Sequence, residues 1–169
     1  MGREIRRVTP HWEHPRFTKD DARDSRDVGQ YKSLYNQDYE SASAEWIDGF
    51  DAWRKGEHKS QPCDYCKHFW EYSNPPDVEL YRPKFEKEPT WYQVYETVSE
   101  GSPVTPPFAT QDELIDYLVN NGDEWDERRG EGGWSRENAE AFVARGHAMS
   151  MMVISGPSGA EIKMPRDGS

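Results

Sequence analysis

The sequence predicts an α+β fold: a small, mainly antiparallel sheet with two or three covering helices, and an N-terminal half that is irregular and rich in aromatic residues and proline. Three observations carry this. The run Trp91-Tyr92-Gln93-Val94-Tyr95-Glu96-Thr97-Val98 is dense in aromatic and β-branched residues, as strands are, and a Pro-rich loop and a capped helix follow it. A stripe of rings at three- and four-residue steps marks a helix over residues 39–54. Near the C-terminal end, a third capped helix precedes two apolar runs split by Gly156-Pro157-Ser158-Gly159.

Residues 1–30 read as a mobile or extended arm. Met1–Pro10 alternates Arg3, Arg6 and Arg7 with Ile5 and Val8, a pattern for a short strand or a basic tail. His11, Glu13 and His14 are potential metal ligands, but Pro15 argues against the helix that would array them. Residues 16–30 alternate charge signs and read as a linker.

Residues 31–169 read as one domain, with an aromatic helical and irregular part over 31–90 and a β-α-α-β-β core over 91–164. Asp38 is placed as an N-cap, and Gly56 as the stop, of a helix carrying Tyr39, Ala42, Trp46, Phe50 and Trp53 on one face. Its other faces hold Glu40, Glu45, Asp48 and Asp51. Cys63-x-x-Cys66 has half the ligand spacing of a zinc site, and His58 and His68 are the nearby residues that would complete it. Two ordinary thiols are the plainer reading, and no cofactor is expected. Residues 69–89 connect onward through aromatics and prolines. An exposed groove of Trp70, Tyr72, Tyr81 and Arg82, with Trp91 and Tyr95 of the strand, is the candidate binding surface.

In the core, Trp91–Val98 is expected to pack on one face and be partly covered on the other. Pro103, Pro106 and Pro107 hold the next stretch extended. Thr110 and Glu113 have capping-box spacing ahead of Leu114, Ile115, Leu118 and Val119, and Gly122 is placed as a left-handed stop. Residues 123–133, charged and glycine-rich, read as a loop whose Asp123, Glu124, Asp126 and Glu127 could hold a divalent cation, but the pattern matches neither a phosphate loop nor an EF-hand. Ser135 caps a helix over 136–145 with Ala139, Phe142 and Val143 inward and Trp134 stapled to Ala139. Strands are expected at 148–155 and 160–164.

The net charge of −11 is uneven: residues 1–30 carry +1 and the remainder −12. An acidic body argues against direct binding to nucleic-acid phosphates and suits a basic protein partner. No apolar run is long enough to span a membrane and no signal peptide is apparent, so a cytoplasmic protein is expected. No specific catalytic set stands out, and an enzyme would need a site assembled from distant residues.

The segments MGREIRRV, WEHP, PPDVELYRP, YETVSEGSPVTPPFAT and WSRENAEAFVARGHAMSMMV resemble small proteins encoded by tailed bacteriophages and prophages, notably of actinobacteria. The resemblance runs the length of the chain, and Cys63 and Cys66 lie outside its signature. It implies an accessory protein acting in the cytoplasm of an infected bacterium, and it carries over no activity or site residue. The first expectation for function is a non-enzymatic acidic protein that modulates a host or phage protein. The alternatives are a small-ligand or nucleotide binder with an aromatic pocket, served by Arg82 or the N-terminal arginines, and a hydrolase or nucleic-acid-modifying enzyme.

Overall fold

A computed structural model describes residues 2–97 and 101–148. In chain order its elements are strand β1 (Arg3–Val8), strand β2 (Tyr35–Asp38), helix α1 (Tyr39–Lys55), helix α2 (Phe69–Tyr72), a 3-10 turn (Val78–Leu80), strand β3 (Tyr81–Arg82), strand β4 (Trp91–Glu96), helix α3 (Gln111–Asn121), helix α4 (Glu124–Arg129), helix α5 (Arg136–Arg145) and strand β5 (His147–Ala148). The fold is α+β. The chain divides into two compact units, one of Met1–Ser33 with Phe85–Ser169 and one of Leu34–Lys84. The boundary expected after residue 30 thus falls after Ser33, and residues 34–84 stand as a unit of their own.

The first unit is built on a three-stranded sheet in the order β4-β1-β5, with β1 antiparallel to both neighbours. The arm expected over residues 1–30 is instead the middle of this sheet and the cover of one of its faces. Register pairs Arg3 with Glu96, Ile5 with Val94 and Arg7 with Tyr92, so these six share one face. Glu4, Arg6 and Val8 pair with Tyr95, Gln93 and Trp91 on the other. The high charge of β1 hides its role in the sequence, because Arg3 and Arg6 are buried by ion pairing and ring stacking rather than by apolarity.

Both faces of β4 are covered, from Gln93 to Glu96, more fully than the single packed face expected. Helices α3 and α5 supply Leu114, Ile115, Leu118, Ala139, Phe142 and Val143 to a core with Val94, Val104 and Trp134, and Ile5 and Tyr92 pack against it. On the second face the Trp12 indole donates to the Tyr95 hydroxyl, and His14 Nδ1 stands 3.2 Å from the same oxygen. Residues 15–32 fold back on themselves through Phe17 N–H to Gln30 O (2.9 Å) and Lys32 N–H to Pro15 O (3.0 Å), which is why this charged stretch is not a free linker.

The prolines after β4 act as edge protection. Val104 donates to Val94 O, and Phe108 exchanges two bonds with Tyr92, each at 2.8 Å. Pro103, Pro106 and Pro107, which have no N–H to donate, fill the remaining positions and leave the edge poor in donors.

The capping signals hold. Thr110 and Glu113 form the expected capping box and Ser135 caps α5. Gly122 ends α3 with φ 72° but ψ −163°, so it is not the left-handed stop expected. Residues 124–129, expected as loop, form α4, started by a reciprocal Asp123–Asp126 box and closed by left-handed Gly130. The expected strand from Ala148 begins as β5; its remainder, the strand at 160–164 and Val98 lie outside the described residues.

The second unit is organised on Phe69, which is 4% exposed. Trp46, Phe50 and Trp53 of α1 and His58 pack around its ring. Gly49 allows this, because a Cβ there would lie 2.8 Å from the ring. Asp38 caps α1 and left-handed Gly56 ends it, as expected. Strands β2 and β3 pair parallel. The aromatic stripe is only partly core: Ala42 is buried, Trp46, Phe50 and Trp53 are half-buried, and Tyr39 is 40% exposed.

Candidate functional site

The first unit contains a cleft of about 730 Å³. Its apolar wall is the proline stretch Pro103–Pro107 after β4, and Tyr31 and Tyr117 add rings. Its polar lining comes from two places. Glu13, His14 and Arg16 follow β1, and Glu124 and Glu127 lie three residues apart on one side of α4.

Helix α4 is held in place by a buried ion cluster. Arg3 of β1 pairs with Asp123 through Nε and stands 3.7 Å from Asp126, and all three side chains are buried. The Trp134 indole donates to Asp126 at 2.6 Å, and Arg129 donates to it at 2.9 Å. Burial pushes the Asp123 carboxyl up against the pull of Arg3. Burial also works on Asp126, but the Asp123 amide, Trp134, Arg3 and Arg129 outweigh it and hold Asp126 below its usual range. The Glu124 amide donates to Val104 O (2.9 Å), which brings the carboxylates of α4 to the proline wall.

Charge in the cleft is unbalanced. Among the described residues lining it, Arg16 is the one Lys or Arg, and it is already engaged: its guanidinium lies 3.8 Å from the Tyr31 ring centroid and donates to Gly29 O at 2.7 Å. Glu124 is paired with Arg128. Glu13 and Glu127 have no ion-pair partner among the described residues. Burial, then Glu127, Glu124 and Asp123, pushes the Tyr117 phenol up, so the carboxylates act on the cleft wall itself.

His14 forms the floor and is 7% exposed. Its Nε2 stands 2.6 Å from Lys32 O and its Nδ1 3.2 Å from the Tyr95 hydroxyl. Burial lowers it to about pKa 4, opposed by the Lys32 carbonyl and assisted by Arg6 and Arg16, so it is neutral at pH 7. A carbonyl only accepts, so Nε2 carries the proton and Nδ1 is an acceptor. The Tyr95 hydroxyl, which accepts from Trp12, also donates to Gln93 Oε1 (3.0 Å), and the Gln93 amide donates to Thr105 O (2.8 Å). Both nitrogens of His14 therefore face protein, and the ring is a structural member of the floor.

The residues singled out from sequence are distributed as follows. Tyr95 is 2% exposed and belongs to this network, so it is not part of a binding surface. Trp91 is half-buried with its ring 4.6 Å from His11. Trp70 and Tyr72 are 48% and 44% exposed, and Tyr81 and Arg82 are half-buried; all four lie in the second unit. The N-terminal arginines proposed for a nucleotide pocket are engaged within their own unit: Arg3 in the ion cluster, Arg6 with Glu4 and 4.4 Å from the Tyr95 ring, Arg7 4.2 Å from the Tyr92 ring.

Of the residues considered for zinc, the two histidines are engaged with neighbouring rings. His58 packs its ring against Trp53, Phe69 and Tyr72, and its Nδ1 accepts from the Ser60 amide. His68 stacks on Trp70 at 4.4 Å. Among the described residues no three His, Cys, Asp or Glu side chains are grouped to hold a metal ion.

Sequence reasoning weighed Glu124 and Glu127 only as loop ligands for a cation and missed helix α4, although the D-x-x-D spacing of Asp123 and Asp126 is a helix-start signal. No helix among the described residues is long and apolar enough to cross a membrane. No protein-family model, curated protein or solved structure matches the chain.

Proposed function

We propose that this chain is a non-enzymatic acidic binding protein that modulates a host or phage protein by receiving a basic segment of it in the cleft of the first unit. The observation that carries the reading is the pair Glu13 and Glu127: two carboxylates without an ion-pair partner among the described residues, beside a proline and tyrosine wall, with the lining's one cation already engaged. A lysine or arginine side chain fits that chemistry, its aliphatic stem along the prolines and its charge between the glutamates. The resemblance to phage and prophage proteins supports a setting in the cytoplasm of an infected bacterium. The same charge disfavours a nucleotide, whose phosphates the glutamates would repel.

A second reading is a small organic cation as the ligand, supported by a volume within the range of small-molecule pockets. Native mass spectrometry of the protein purified from its bacterial host separates the two. A retained low-mass cation supports the small ligand. A protein adduct that dissociates with salt, and is absent for E13Q/E127Q, supports the partner. An apo mass together with unaltered capture by E13Q/E127Q rejects the cleft.

A further inference from the structure

A second, smaller cavity of about 150 Å³ adjoins the cleft in the first unit. The two share Tyr31, Pro103, Val104 and Glu124, so the proline stretch after β4 is a wall of both. This wall does not offer itself as a sheet edge. Val104 donates to Val94 O and accepts from the Glu124 amide, and Pro103, Pro106 and Pro107 have no N–H. A peptide lying along it is therefore recognised by its side chains. In an extended peptide, residues two apart point the same way and lie about 7 Å from each other.

The smaller cavity differs from the cleft in charge. Its Glu124 is paired with Arg128, and the Arg128 guanidinium lies 5.0 Å from the Trp125 ring centroid. The buried Glu96 carboxylate accepts from the Trp125 indole at 3.0 Å. A further charge of either sign would be desolvated beside a like charge, with the opposite charge already engaged. Pro103, Val104 and the rings of Tyr31 and Trp125 make much of the remaining wall apolar, and a space of this size holds a group about as large as benzene.

We propose that the cleft and this cavity read one extended protein segment together: a lysine or arginine in the cleft and, two positions away, an uncharged apolar side chain of valine or leucine size in the smaller cavity. This rests on the cleft receiving a basic segment, and it makes the recognised motif a basic and an apolar residue on either side of a third. The cleft supplies charge, through Glu13 and Glu127, and the smaller cavity supplies selectivity by size and polarity.

The test is competition by unlabelled peptides against fluorescent hexa-arginine on the full chain, read by anisotropy at about 0.15 M salt to screen general charge attraction. The competitors are Ac-Xaa-Ala-Arg-Ala-Ala-amide and Ac-Ala-Ala-Arg-Ala-Xaa-amide, with Xaa as Ala, Val, Asp, Lys or Trp. At one of the two positions Val should compete about ten-fold better than Ala, and better than Lys although Lys adds a charge. Asp, for its charge, and Trp, for its size, should fall below Val there. Q30W, which adds a bulky ring at an exposed residue lining the smaller cavity, should reduce the Val advantage to within about two-fold. Equal competition by Val and Ala, or Lys ahead of Val at both positions, would overturn the proposal and leave the cleft reading intact. A Val advantage that survives Q30W would overturn it as well. Failure of hexa-arginine itself to bind would reject the cleft reading, and this one with it.

Discussion

The Tyr95 hydroxyl and the His14 imidazole stand 3.2 Å apart, and at neutral pH they and Gln93 are one proton short. Tyr95 has a single proton and faces two acceptors, Nδ1 of His14 and Oε1 of Gln93. Protonating His14 would satisfy both, yet burial with Arg6 and Arg16 holds it near pKa 4. The fold thus keeps a neutral imidazole at the cleft floor at the cost of one hydrogen bond.

The first prediction follows from that depressed value. The unfolded chain takes up the proton near pH 6.5 and the folded chain only near pH 4. Stability from this group is therefore fully present above pH 6.5 and is lost as pH falls, reaching about 3 kcal/mol by pH 4. Urea unfolding of wild type and H14Q at pH 7 and pH 4 isolates the effect from other carboxylates. The gap between the two proteins should shift by about that amount in favour of H14Q; an unchanged gap would show that His14 is not buried neutral.

The second prediction concerns Arg3. R3M leaves Asp123 buried without its guanidinium, and Asp126 with Arg129 alone, and should cost about 3–5 kcal/mol. K84A, which breaks the exposed Lys84–Glu40 pair, should leave stability nearly unchanged. Chemical denaturation reads both, and near-equal losses would contradict the central role given to the buried cluster.

The third concerns backbone contact. A Cβ at Gly133 would lie 1.8 Å from Val119 O, while one at Gly132 meets nothing within 4 Å. G133A should therefore destabilise by more than about 2 kcal/mol and G132A by less than about 1 kcal/mol in thermal or chemical unfolding. Similar values would mean that the approach of residue 133 to α3 is not tight.

These three sites show where sequence reading succeeds and where it stops. Helices α1, α3 and α5 were legible because their signals are local: Asp38, Thr110 and Ser135 cap helices whose apolar residues recur at helical spacing. The buried role of Asp123 was not legible, because its partner Arg3 is 120 positions away and each residue alone looks like surface. Residues 11–33 concealed their packing for a related reason. Trp12, His14 and Tyr31 are few among many charges, and their contacts with one another and with Tyr95 exist only once β1 and β4 pair. The cleft gathers side chains from six separate stretches of chain, so its acidic character had no signature in any single one.

The most direct measurement is calorimetric titration of the full chain with a hexa-arginine peptide at low and high ionic strength. It compares wild type, E13Q/E127Q, and E86Q/E137Q, which removes the same charge from exposed positions outside the cleft. The cleft account predicts that E13Q/E127Q weakens binding at least about ten-fold, that E86Q/E137Q stays within about two-fold, and that salt weakens wild-type binding. Equal weakening by both double variants would contradict it, because binding would then follow overall charge and not the cleft; absence of binding at low salt would contradict it outright.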